Sequence, residues 1–175
     1  MKIFVRHWFV LAGLAVLGVA SHLIPHAMGL STVGALGMVA AAYLPRQLAV
    51  IPVLVTVVAA NVMIGAYGWV AMGFVYLAHV AAVFAVAPIL KRIGISTVIA
   101  SAVVNAVVFY LISNVSQVIL FYPATLEGWI ACYVDGLSFL MRGILANIVF
   151  GGLAFGAIVS MKQIYAHRLA SAQRN

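Results

Sequence analysis

Both carboxylates of the chain, Glu127 and Asp135, fall in one stretch, FYPATLEGWIACYVDGLSFLMR, residues 121–142. The same stretch carries the sole cysteine, Cys132, together with Tyr122, Trp129, Tyr133 and Arg142. Polar chemistry concentrates here because nearly everything else reads as apolar helix. Trp129 and Tyr133 are spaced i, i+4, which puts both rings on one face of a helix. Glu127 follows Thr125 closely enough to serve a helix start. Asp135 and Arg142 can pair if one helix runs through Gly136.

Histidine and cysteine offer a second chemistry. His22 and His26 have the i, i+4 spacing that sets two imidazoles on one helical face toward a metal, but Pro25 interrupts the turn between them. Cys132 can bind a soft metal as a thiolate, although its neighbours Ala131 and Tyr133 favour a buried, inert thiol. His22, His26 and Cys132 are therefore weak metal candidates, and no metal or cofactor is assigned. His79 lies in the middle of an alanine-rich apolar run and reads as a packed, hydrogen-bonded side chain. The sequence has no Ser-His-Asp order, paired carboxylate set, phosphate loop or CxxC. The expectation is that the chain is not an enzyme.

These residues need elements to hold them, and composition says which. The chain is 67% hydrophobic and 6% charged, whereas a soluble domain carries about 25% charged residues. Lipid is the main solvent. The net charge of +7 does not indicate nucleic acid, because the basic residues stand singly between apolar runs and form no stripe. One cysteine permits no internal disulfide.

A membrane-crossing helix needs roughly 20 apolar residues. Residues 4–24 supply one and read as an uncleaved span rather than a signal peptide. Residues 31–44 form a short run rich in Gly and Ala. Residues 48–66, 69–90 and 95–121 follow, then a cap over residues 121–138, then a sixth run at 139–161. The fold class expected is an all-α membrane protein: six transmembrane helices with a short outer interfacial helix between helices five and six. Residues 1–165 make a single transmembrane domain, and 166–175 a basic cytoplasmic tail in a solvated segment that starts at Lys162. Gly37 with Ala41, Ala78 with Ala82, and Gly152 with Gly156 are small-xxx-small steps that let helices pack closely in lipid.

Charge sets the orientation, since Lys and Arg in short loops favour the cytoplasm. With six spans, Lys2, Arg6, Arg46, Lys91, Arg92, Lys162, Arg168 and Arg174 all fall inside, and Arg142 alone falls outside. If the short second run does not cross, three basic residues lie inside and six outside. Both termini are therefore expected in the cytoplasm and the cap on the outer face. Asn61, Asn114, Gln117, Arg142 and Asn147 then lie in the outer halves of their helices, with His22 and His26 at the outer end of the first. The inner half is nearly bare of polar side chains. Such polar groups face the bundle interior and here converge on a pocket open to the outside.

Two blocks, HLIPHAMGLSTVGALGMVAAAYLPR at 22–46 and YLISNVSQVILFYPATLEGWIACYVDGLSFLMRGILANIVFGGLAFG at 110–156, resemble an uncharacterised family of small six-helix bacterial membrane proteins. That family is itself similar to the substrate-binding S components of energy-coupling-factor transporters. The likeness implies a multi-pass protein of the bacterial cytoplasmic membrane, with an external ligand pocket under loops and vitamin-like substrates.

The expected function is a substrate-binding membrane subunit for uptake of a small molecule, vitamin-like or metal-containing, from the outer face. Asn61, Asn114, Gln117 and Tyr122 hydrogen-bond the ligand, Trp129 and Tyr133 stack on it, and Arg142 holds a negative group. Membrane lipid surrounds the chain, and energising or complex-forming membrane subunits are its partners. The alternative is a non-catalytic accessory subunit of an electron-transfer or light-harvesting complex, whose histidines ligate a haem or pigment.

Overall fold

The computed structural model describes residues 2–22, 31–65 and 68–172. His26 and Tyr67 lie outside the described residues, and so does the side chain of His22. The chain is helical throughout its described elements. Helices α1 (Lys2–His22), α2 (Val33–Tyr43), α3 (Arg46–Ile64) and α4 (Trp69–Val86) lead to a 3-10 turn at Ile89–Lys91. Helices α5 (Ile95–Phe121), α6 (Leu126–Asp135) and α7 (Leu137–Ala172) complete the order. Among the described residues, four helices, α3, α4, α5 and α7, are long and apolar enough to cross a membrane, which is the mark of a membrane protein.

The short second run behaves differently from the others. Its eleven residues make a helix about 16 Å long, roughly half the hydrocarbon thickness of a bilayer. It is apolar all round, as a helix surrounded by protein must be. Eight of those residues, Val33, Ala35 to Ala41, are buried, and α2 packs against α1, α3, α4, α5 and α7. Gly37 permits this closeness: a Cβ there would stand 3.2 Å from Val83 and 3.5 Å from Val53. Ala78 and Ala82 are also fully buried. Gly152 and Gly156, by contrast, look onto open space, so that step of small residues is not used within the chain.

The two ends of the bundle differ chemically. Lys162 lies with its ammonium 4.8 Å from the ring centroid of Tyr43, so the far part of α7 meets the C-terminal end of α2. The turn carrying Lys91 packs against α2 as well. Arg46, Lys91, Arg92 and Lys162 therefore gather at one end, and α6 with Glu127 and Asp135 lies at the other. The dense apolar core fills the basic half, around Met38, Val53, Val83, Val86 and Leu90. Helix α7 does not stop where its apolar run ends. It continues for 36 residues, so the basic tail from Lys162 to Arg168 is exposed but helical.

Candidate functional site

The cap is a helix with three faces. Thr125 caps its start, its hydroxyl accepting the Gly128 amide hydrogen at 3.2 Å. Glu127 sits exposed in the first turn and is not the cap. Gly128, Cys132 and Gly136, spaced four apart, form the buried face. A Cβ on Gly128 would come within 2.1 Å of the Pro123 carbonyl oxygen, so only glycine fits there. A Cβ on Gly136 would meet the Asn114 amide oxygen at 2.9 Å and the Tyr110 ring at 3.0 Å. The outward face carries Leu126, Ile130 and Val134, all more than half exposed, a stripe suited to the membrane interface. The helix ends at Gly136, so no unbroken helix carries Asp135 to Arg142.

Reciprocal bonds clamp the cap to α5. The Tyr110 hydroxyl donates to the Tyr133 carbonyl, and the Tyr133 hydroxyl donates to the Leu111 carbonyl at 2.7 Å. The two rings meet edge to face at 5.5 Å. Trp129 stacks on Tyr133 with centroids 6.2 Å apart and planes 12° from parallel. At the cap's far end, the Tyr122 hydroxyl donates to Asp135 Oδ2 at 2.8 Å. That bond, more than anything else, raises the Tyr122 pKa above its ordinary value, because the carboxylate favours the neutral phenol. Burial pushes up the pKa values of Cys132 and Tyr133, and Asp135 adds to the rise at the thiol. Cys132 directs its Sγ at Asn114, 3.7 Å from the backbone oxygen and 3.8 Å from Oδ1. Such a thiol stays protonated near neutrality and is a poor metal ligand.

Beneath the cap lie two chambers. The outer one, about 380 Å³, is lined by Asn114, Gln117, Tyr122, Cys132 and Asp135. The inner one, about 260 Å³, reaches toward the middle of the bundle and is lined by His79, Asn105, Tyr110, Asn147 and Ser31 on helices or chain at four sides. Phe109, Ser113, Asn114 and Phe139 belong to both walls, so the chambers abut. At the floor, Asn147 is buried and donates from Nδ2 to Asn105 Oδ1 at 3.1 Å and to the Ala102 carbonyl at 3.2 Å. Gly34 of α2 closes on this pair: a Cβ there would stand 2.1 Å from Asn147 Oδ1. His79 packs on Phe109 with ring centroids 4.6 Å apart.

A third hollow, about 390 Å³, opens between α1, α2 and α7. Its hydroxyls, Ser21 and Thr32, bond to each other at 2.5 Å, and its other walls are apolar. It offers a polar ligand little to hold.

The residues expected to bind ligand are thus partly gathered. Asn114, Gln117 and Tyr122 line the outer chamber, while Trp129 and Tyr133 stack on each other and line neither chamber. Asn61 lies elsewhere: its Nδ2 donates to the Tyr76 hydroxyl at 2.7 Å, joining α3 to α4. Arg142 is exposed and lines neither chamber; its guanidinium carbon lies 5.8 Å from the Phe139 ring centroid. Sequence reasoning did not assign Asn105, Tyr110, Ser113 or His79 to the site, and it placed Asn147 in the outer pocket without a binding role. The signal was present in α5, where 106, 110, 114 and 117 follow the helical repeat, and so do 105, 109 and 113. Among the described residues, no group of three or more His, Cys, Asp or Glu is placed to hold a metal ion.

In comparison with known proteins, residues 2–169 match the sequence model of a family described as a family of unknown function (DUF6580). No curated protein and no solved structure matches the chain.

Proposed function

The chain belongs to the DUF6580 family, and from the chambers beneath α6 we propose that it is the ligand-binding membrane subunit of an uptake system for a small, vitamin-like molecule. The observation that carries this reading is the pair of abutting chambers at the cap end, set against a close-packed apolar core at the basic end. A largely apolar cavity with a few polar groups, backed by a close-packed core, receives and holds a molecule; it does not conduct one. Ligand pockets run from about 300 to 1,000 Å³, so chambers of about 260 and 380 Å³ suit a small ligand.

In this reading the protein lies in the bacterial cytoplasmic membrane with the cap outside and both termini inside. The gathering of Arg46, Lys91, Arg92 and Lys162 at the other end supports that orientation. Six passages cross, and α2 is a partial one: a short helix at membrane depth is tolerated where protein surrounds it. Residues 22–46 and 110–156 resemble a family of small six-helix membrane proteins that is itself similar to S components, which agrees with this reading. The sequence has no phosphate-binding loop, so active uptake draws on an energising partner.

Native mass spectrometry of the full chain purified in mild detergent tests the proposal. The expected result is a retained small molecule that is lost on mild activation. A ligand-free chain that is coloured, or that travels only with redox subunits, overturns it in favour of an accessory subunit using His79, which faces the inner chamber.

A further inference from the structure

The walls of the chambers restrict what the ligand can be. Among the described residues lining the inner chamber there is no Asp, Glu, Lys or Arg. Its floor is built instead from the carboxamides of Asn105 and Asn147, with that of Asn114 higher in the wall. Asn147 spends both Nδ2 hydrogens on Asn105 Oδ1 and the Ala102 carbonyl, so the pair keeps the Asn105 Nδ2 donors and the Asn147 Oδ1 acceptor as its remaining polar edge. That edge matches another planar group that also presents both, such as an amide or the edge of a nitrogen heterocycle. Phe109 and Phe139, shared by both chambers, offer ring surfaces against which a planar molecule packs.

Among the described lining residues no Lys or Arg stands ready to meet an anion, and the one base is the imidazole of His79. The one formal charge among the described lining residues of the outer chamber is the carboxylate of Asp135, and Arg142 lines neither chamber. An unpaired negative group entering this low-dielectric space would be strongly disfavoured. A positive group at the outer level would meet Asp135 and the faces of aromatic rings, both attractive to cations.

Resting on the ligand-binding reading above, we propose that the ligand is a planar molecule with an uncharged amide-like polar edge seated at Asn105 and Asn147, and that any charge it carries is positive and lies beside Asp135.

Three probes of nearly one shape separate the charges: benzamide is neutral, benzamidine positive and benzoate negative. Saturation-transfer NMR on the full chain in detergent, corrected for empty micelles, gives their affinities. Benzamide and benzamidine should bind at least about tenfold more tightly than benzoate, since the anion is desolvated without a Lys or Arg partner. Asp135→Asn should reduce the benzamidine affinity several-fold and leave benzamide unchanged. Asn147→Leu should abolish binding of both; if that variant does not fold, Ser113→Val, at the junction of the chambers, should weaken both. Benzoate binding as tightly as benzamide overturns the ligand class and leaves the uptake reading standing. Binding of none of the three by a chain that retains a small molecule in native mass spectrometry does the same. Binding of none by a chain that retains nothing removes both.

Discussion

The hydroxyl of Tyr122, one residue past the end of α5, donates to the carboxylate of Asp135, the last residue of α6, at 2.8 Å. One exposed bond thus joins the start of the cap segment to its end and passes across the wall of the outer chamber. Around it the Tyr110–Tyr133 clamp holds the middle of the cap.

Tyr122→Phe removes this bond while keeping the ring. Amide hydrogen exchange across α6 should rise several-fold, and exchange in α3 and α4 should not change. The phenol's pKa is raised, so the contribution of the bond is intact below the ordinary tyrosine value of about 10. It fades as pH climbs through the raised folded value. The difference in α6 exchange between the two proteins should therefore hold from pH 6 to pH 9. Equal exchange in both at pH 7 would refute a restraining role.

Glycine positions give a sharper contrast. Gly128→Ala drives a methyl to within 2.1 Å of the Pro123 carbonyl and should cost about 1–3 kcal/mol by overpacking. Gly152→Ala and Gly156→Ala meet open space and should leave stability unchanged or raised by about 0.5–1 kcal/mol through helix preference. Thermal melting in detergent ranks the three. A Gly128→Ala protein as stable as the parent would mean that the cap does not pack as described.

The Cys132 thiol provides a pH test. Its pKa is raised by burial first and by Asp135 second. Alkylation by iodoacetamide should be slower than for a free cysteine at pH 8, with a midpoint above the ordinary value of about 8.5. Unfolding in dodecyl sulfate should restore the ordinary profile. A midpoint at or below the free value would show a thiolate-stabilising site and reopen the metal reading.

Asn61 and Asn114, both expected to bind ligand, should behave differently. Asn61 joins α3 to α4 through Tyr76, and such contacts in membranes are worth about 0.6 kcal/mol on average. Asn61→Ala should lower the melting temperature slightly and spare ligand retention in native mass spectrometry. Asn114→Ala changes the wall common to both chambers and should lose the ligand. Loss of ligand in both variants would place the pocket elsewhere.

Orientation is tested by labelling single cysteines in a Cys132→Ser background. Glu127→Cys should react with an impermeant maleimide added to intact cells, and Arg92→Cys should react only after permeabilisation. The reverse pattern would turn the bundle over.

Much of this architecture was legible because lipid leaves few choices. Long apolar runs fixed α3, α4, α5 and α7, and the crowding of polar and aromatic residues after Phe121 marked the cap helix. Helix α2 was legible as a short apolar run but not as one enclosed by other helices. Its composition is that of a span, but eleven helical residues are held by surrounding helices, and a one-dimensional charge count does not register partners. Arg142 was drawn to the pocket by its sign and depth. Depth along a helix says nothing of azimuth, and its side of α7 is the exposed one. Gly34 and Asn147 are 113 positions apart in number, and nothing local to either announces the other. Gly128, Cys132 and Gly136 did carry a readable spacing of four, hidden by attention to the larger side chains between them.

Helix α7 begins one residue after the cap and runs unbroken for 36 residues, about 54 Å at the rise of an α-helix. It is a stiff rod with the cap at one end and the exposed basic turns at the other. Geometry makes it a lever: pivoted at Leu137, each degree of tilt carries Ala172 sideways by about 1 Å. A spectroscopic pair with one label on the far turns of α7 and the other on α3 would read small motions of the cap as larger displacements at the basic end of the bundle.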